Sequence, residues 1–180
     1  MKEITFVTNN SYKTMEIIEI AKPYNIKVTE YKFKIEELQT IDRISLIRNK
    51  LVTAFNQIKE PVIVDHASLE IESLKGMPGP LTQLFWDKLK GDLCTISRTL
   101  GKPKAKAICT VGFCDGKNIY TKEAEVFGEI SISPKGARQF QWDTIFIPNG
   151  QNKTYAEMSI AEKNLISQRQ IAFKDLFSII

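Results

Sequence analysis

Residues 105–130 hold two long runs with strand character, AKAICTVGFCDG and NIYTKEAEVFGEI, which meet near Asp115-Gly116. Asp-Gly at such a junction favours a tight hairpin, because glycine supplies the positive φ that the turn requires. A hairpin this long cannot stand alone in water, so other elements must cover it. The flanking sequence alternates strand and helix signals, which with one long hairpin points to a mixed sheet. The expected fold is α/β with a mixed sheet.

ITFVT at residues 4–8 is rich in β-branched side chains and runs into Asn9-Asn10-Ser11, a good turn and helix-capping stretch. Met15, Ile17, Ile18 and Ala21 then predict a helix ending at Pro23, and IKVTEYKF at 26–33 a second strand. Asp42 is placed to cap a long helix whose apolar face carries Ile44, Ile47, Leu51, Ala54, Phe55 and Ile58, with Arg43, Arg48 and Lys50 off that face. Pro61 closes it, and VIV at 62–64 is a short buried strand leading into Asp65-His66. GMPGP at 76–80 marks a turn, Leu81 to Leu89 a further helix, TIFIP a short strand, and the sequence from about Tyr155 onward is helical.

With 180 residues, 43% of them hydrophobic, the chain can bury a substantial core, and a single domain over residues 1–180 is expected. The net charge of +4 is spread along the chain, which suits a small anionic ligand and not a nucleic-acid duplex. No apolar run reaches membrane-spanning length and the N-terminal run is too short for a signal peptide, so a cytoplasmic protein is expected. Cys94, Cys109 and Cys114 lack C-x-x-C spacing, and with His66 the only histidine they read as packed thiols, neither a zinc site nor nucleophiles.

Two stretches carry candidate chemistry. TNNSYK at 8–13 sits between strand and helix, where free amides and the helix dipole attract phosphate and Lys13 adds a full charge. The same pattern also describes an ordinary capped helix. In FQWDTIFIPNG at 140–150, Phe140 and Trp142 lie two apart and would share a face of an extended segment, able to stack on a flat ring beside the acceptor Asp143. Arg169 presents only donors, which suits a keto oxygen and not an amino group, the difference between hypoxanthine or xanthine and adenine. Core aromatics and a solvated helix are the bland alternative.

Together TNNSYK, VIVDHASLEIESLKGMPGPLTQLFWDKL, FQWDTIFIPNG and TYAEMSIAEKNLISQR resemble, in order and spacing, the inosine triphosphate pyrophosphatase family, the Ham-type enzymes of noncanonical purine nucleotides. The resemblance covers nearly the whole chain. It implies an elongated mixed sheet with helical lobes flanking a nucleotide cleft, and Mg²⁺-dependent hydrolysis of inosine, deoxyinosine or xanthosine triphosphate to monophosphate and pyrophosphate, generally by a homodimer. It assigns Thr8, Asn10, Lys13, Arg48 and Lys163 to the phosphates, and Phe140, Trp142, Asp143, Gln168 and Arg169 to the base.

Departures fall on the metal site. The resemblance implies an acidic pair after the buried strand, where this chain has Asp65-His66, so Asp65 survives as metal ligand and catalytic group while His66 replaces the second acid. In EELQTIDRIS the family's further metal-binding glutamate is expected at Thr40, unless Glu36, Glu37 or Asp42 compensates by a shift of register. Gln168 stands in place of a histidine, Gln83 of a lysine, and Gln141 and Thr144 of a frequent glycine and proline. Imidazole is a poor magnesium ligand, so the expected function is capture of inosine-type triphosphates by a sensor or regulatory subunit, with Mg²⁺ held weakly or carried in with the nucleotide. Such a sensor would act on a partner effector, with a defence or stress pathway as one setting. The alternative is an active pyrophosphohydrolase with His66 as general base.

Overall fold

The computed structural model describes residues 2–180, apart from the side chains of residues 138–140. A seven-stranded mixed sheet carries the order β2-β1-β3-β5-β6-β7, with β4 attached to β3. The strands are β1 (Lys2–Val7), β2 (Ile26–Tyr31), β3 (Val62–Ile71), β4 (Pro78–Gly79), β5 (Lys104–Cys114), β6 (Ile119–Ile130) and β7 (Phe146–Pro148). β1 runs parallel to both β2 and β3, whereas β4 pairs antiparallel with β3 and β7 with β6. The mixed α/β architecture expected from the long hairpin is therefore present. The turn between β5 and β6 is closed by Asp115, whose side chain accepts from the amides of Lys117 and Asn118 at 2.9 and 2.7 Å, and Gly116 has φ of +88°.

The chain divides into two compact units: Met1–His66 with Cys109–Ala124 and Arg169–Ile180, and Ala67–Ile108 with Glu125–Gln168. In the first unit, α1 (Ser11–Ala21) connects β1 to its parallel neighbour β2. Its buried apolar residues are Ile17, Ile20 and Ala21, while Met15 and Ile18 face solvent, so the apolar stripe is narrower than the periodicity suggests. These residues pack with Phe6, Phe113 and the inner face of α6 (Gln168–Phe177), including Phe173 and Leu176. Phe6 and Phe173 meet edge to face with centroids 6.2 Å apart, a favourable geometry for aromatic quadrupoles.

α2 (Arg43–Ile58) is capped by Asp42, which accepts from the amides of Ile44 and Ser45. Ile47, Leu51 and Ala54 are buried as expected, Ile44 is exposed, and Lys50 is buried although it lies off the apolar face. Its ammonium has polar partners, described below. α2 approaches β5 closely at Gly112, where a Cβ would lie 2.6 Å from Leu51 Cδ1 and 3.3 Å from Ile47 Cγ1.

In the second unit Leu69, Ile71, Leu93, Ala107, Ile130, Phe146 and Tyr155 form the core. It contains α3 (Thr82–Leu89), α4 (Asp92–Thr99) and α5 (Ile160–Ile166); α4 has no counterpart in the sequence expectation. The C-terminal helical stretch is also not continuous. Ser159 caps α5 in a capping box with Glu162, and Ser167, extended at ψ of 149°, separates α5 from α6. All three cysteines are buried and unbridged, and burial pushes the Cys109 thiol up to about 12, which fits the packing role expected of it. Among the described residues no helix is long and apolar enough to cross a membrane.

Gly112→Ala should destabilise the protein by about 1–3 kcal/mol, because Leu51 must leave its packed position. Urea unfolding followed by circular dichroism reads this directly, and an unchanged midpoint would mean that α2 yields freely over β5.

Candidate functional site

Asp65 lies one residue before the end of the part of β3 that belongs to the first unit, and it is 2% exposed. Its Oδ1 accepts from Lys13 Nζ at 2.8 Å, its Oδ2 lies 3.2 Å from both Nε and NH2 of Arg169, and its backbone oxygen accepts from Lys50 Nζ at 2.8 Å. Burial alone would raise the Asp65 carboxyl, but Lys13, Arg169 and Lys50 outweigh it and hold the group well below the usual carboxylate range. The Arg169 guanidinium also pairs through NH1 with the buried carboxylate of Glu16 on α1. Four segments distant in sequence thus share one buried charge cluster.

The N-terminus of α1 supplies Lys13 and shapes the loop before it. Thr8 Oγ1 accepts from the Asn10 amide at 3.1 Å, and Asn10 Oδ1 caps the Tyr12 amide at 3.1 Å. Both side chains therefore hold the loop in a fixed path. Lys13, in the first helical turn, reaches back to β3 and is the cation that the loop brings to Asp65.

Glu37 corrects the register expected for the metal-site glutamate. Thr40 is not beside Asp65-His66: its hydroxyl accepts from the Asp42 amide at 3.1 Å in the turn that starts α2, and Asp42 is spent as the cap. Glu37 instead accepts from Lys50 Nζ at 2.6 Å and lies 3.3 Å from His66 Nδ1. Partial burial would raise its carboxyl, but the hydrogen bond from His66 and the Lys50 ammonium keep it well below the usual range. A carboxylate, Glu37, therefore stands beside His66. Lys50 and Glu16 were not among the expected site residues, and Glu37 was named only as one of three acids that could compensate by a shift of register. Their signals were available only as polar residues in a loop or off an apolar helix face.

Arg48 is exposed and, among the described residues, makes no ion pair. In the second unit Lys163 pairs with Asp143, both buried, and its ammonium lies 5.3 Å from the Tyr155 ring centroid. Trp142 is buried edge to face against Phe146 with centroids 6.2 Å apart. The Phe140 side chain lies outside the described residues. Gln168 is 1% exposed and its side-chain oxygen has no hydrogen-bond partner, an arrangement that costs free energy unless something donates to it. Gln83 is exposed and bonds to Asp87, and Thr144 is buried and donates to the Gln141 carbonyl. Gln141 itself has φ of +53° and ψ of −128°, a conformation open to glycine and strained for a side-chain-bearing residue.

A model of the Ham1 family matches residues 4–179. The chain belongs to the Ham1 family. The dITP/XTP pyrophosphatase of Saccharolobus solfataricus is 36% identical to it over 173 residues, spanning 95% of this chain and 90% of the relative. The inosine triphosphate pyrophosphatase of Yarrowia lipolytica is 33% identical, spanning 96% of this chain and 93% of the relative. Among solved structures, the Ham1 protein of Staphylococcus aureus aligns with a TM-score of 0.78 at 25% identity, covering 99% of this chain and 97% of the other. A HAM1 protein from Coxiella burnetii gives 0.81 at 23% identity, covering 99% and 98%, and supports the same fold.

Magnesium is implied by the family resemblance, and this Ham1 chain offers it two carboxylates in separate settings, Asp65 among Lys13, Lys50 and Arg169, and Glu37 between Lys50 and His66. Asp65 and Glu37 are both ionised oxygen donors, and Mg²⁺ usually takes one or two carboxylates, completing its shell with water and substrate phosphates. Among the described residues no group of three or more His, Cys, Asp or Glu side chains is placed to cage a metal unaided. Every carboxylate oxygen of the pair already faces a lysine, arginine or histidine nitrogen, so an ion must displace part of that shell.

Two stability predictions arise here. Arg169→Ala leaves Asp65 and Glu16 buried without their shared cation and should cost about 3–5 kcal/mol, measured as a lowered urea midpoint. Gln141→Gly relieves a left-handed side-chain-bearing residue and should stabilise by about 1 kcal/mol, after allowing for the greater freedom of glycine in the unfolded chain. A lowered midpoint for the glycine variant would show that the Gln141 side chain has a compensating contact.

Proposed function

We propose that this protein binds inosine- and xanthosine-type purine nucleoside triphosphates and hydrolyses them to the monophosphate and pyrophosphate. The observation that carries the reading is a carboxylate and imidazole pair, Glu37 with His66, beside Lys50 and the Asp65 ion-pair cluster, in a chain whose relatives are dITP/XTP and inosine triphosphate pyrophosphatases. It reverses the order of the two functions expected from sequence, supported by relatives that are pyrophosphatases and by a carboxylate, Glu37, beside His66.

In this proposal Lys13, Lys50 and the exposed Arg48 draw in the triphosphate, whose charge exceeds that of any side chain they now pair with. Glu37 or Asp65 would hold magnesium brought in with the triphosphate, and the ion would supply charge neutralisation at the phosphates. His66, oriented through Nδ1 by Glu37, takes the proton of the attacking water. The water oxygen bonds to the α-phosphorus, the bond from that phosphorus to the bridging oxygen breaks, and pyrophosphate leaves. On the base, Arg169 donates to the 6-keto oxygen, and the unpartnered Gln168 oxygen accepts from a ring N-H.

A second reading, in which the protein binds these nucleotides without turning them over and signals to a partner effector, is favoured by one observation. His66 stands where the resemblance places an acid, and imidazole does not replace a carboxylate on magnesium. Calorimetric titration with dITP and ITP, paired with an assay of pyrophosphate release in Mg²⁺, separates the two. The expected result is stoichiometric release of monophosphate and pyrophosphate, abolished by EDTA and slower by roughly 100-fold or more for dATP. Tight binding with no release selects the sensor, and no binding of either nucleotide removes both readings.

A further inference from the structure

Glu37 lies in the stretch between β2 and α2, where no strand ladder or helical turn fixes the direction of a side chain. Phe33 and Ile35, at alternate positions before it, pack into the core with Ile47, Leu51 and Val64, which brings the stretch against α2 and β3. Lys50, on α2 beside the buried Leu51, then donates to Glu37 Oε1 at 2.6 Å and to the Asp65 carbonyl at 2.8 Å. The other carboxylate oxygen, Oε2, lies 3.3 Å from His66 Nδ1. The ammonium therefore ties the carboxylate to the peptide group that joins Asp65 to His66.

We propose that Lys50 is a positioning residue for His66: by claiming one oxygen of Glu37 it turns the other to Nδ1, and so selects the imidazole tautomer with its proton on Nδ1 and its lone pair on Nε2. The inference rests on the proposed function, in which His66 takes a proton from water, and it gives Lys50 a task that a phosphate-attracting charge does not have. An ammonium has donors only, so whatever group stands at position 37 must offer it an acceptor. A carboxylate has two oxygens, one for Lys50 and one for the Nδ1 proton. A carboxylate holds the base of a Ser-His-Asp triad in one tautomer by the same logic, and here a lysine fixes the carboxylate in turn. Glu37→Gln exposes the dependence. Lys50 takes the amide oxygen, the amide nitrogen faces Nδ1 as a donor, and the imidazole proton must move to Nε2. With the ammonium removed as well, the amide is free to turn its oxygen back to Nδ1.

His66 is the only histidine, so nitrogen-15 labelling of histidine in the full chain gives one pair of ring signals, and their correlation to the ring protons reads the tautomer without further assignment. At alkaline pH, where the imidazole is neutral, the wild type should carry its proton on Nδ1 and Glu37→Gln on Nε2. Glu37→Gln combined with Lys50→Met should return the proton toward Nδ1. Identical spectra for the single and double variants overturn the proposal, as does a wild type protonated on Nε2. If the double variant does not fold, Glu37→Gln decides alone, and a proton that stays on Nδ1 there overturns it. In the pyrophosphate-release assay Lys50→Met should lower kcat by roughly 100-fold. A loss confined to KM would make Lys50 a phosphate contact and overturn its positioning role. The spectra need no nucleotide, so a protein that shows the expected tautomers and releases no pyrophosphate loses the proposed hydrolysis and keeps the positioning of His66.

Discussion

A carboxylate that remains ionised away from water needs cations fixed around it, and Asp65 organises the first unit by that requirement. Its three cationic neighbours come from three helices: Lys13 from α1, Lys50 from α2 and Arg169 from α6. Each ammonium or guanidinium in turn needs its own anion, which brings in Glu37 and Glu16. Apolar packing by Phe6, Ile47, Leu51 and Phe173 sets how close the helices come to the sheet. The charge cluster sets their rotation and register, because an ion pair is satisfied at one geometry and a hydrophobic contact at many.

Much of the architecture was legible because it rests on local chemistry. Asp42 caps α2, Asn10 caps α1, and Asp115 with Gly116 turns the long hairpin, each through backbone hydrogen bonds made within a few residues. The elements that were missed depend on tertiary context. α4 is only eight residues long, and its buried Leu93, Cys94 and Ser97 gain their meaning from the second core. The division of the last helical stretch at Ser167 is likewise invisible to periodicity, since Ser is tolerated in a helix and here becomes extended to let α6 start afresh.

Site legibility followed the same division. Lys13, Asp65 and Arg169 lie in regular elements next to recognisable turns, so their positions could be counted from the sequence and the structure brings them together. Glu37 could not be placed in that way. It stands in a stretch between β2 and α2 without regular structure, where no period relates residue number to direction, and a shift of three residues exchanges it for Thr40. The choice between the two alters the chemistry: a hydroxyl at that place implies a damaged metal site, whereas a carboxylate implies one acid replaced among several kept. Lys50 was passed over for a related reason. It is buried while its ammonium finds Glu37 and the Asp65 carbonyl, a combination that polarity scales score as surface.

The ion pair between Asp65 and Arg169 spans 104 positions of sequence. During synthesis Glu16 and Asp65 are made long before their shared guanidinium, at rates of about 5–20 residues per second. For that interval both carboxylates lack Arg169, so β1, α1 and β3 close over their charges at a greater cost than in the finished protein. The arrival of α6 should accordingly stabilise the first unit by charge as well as by packing.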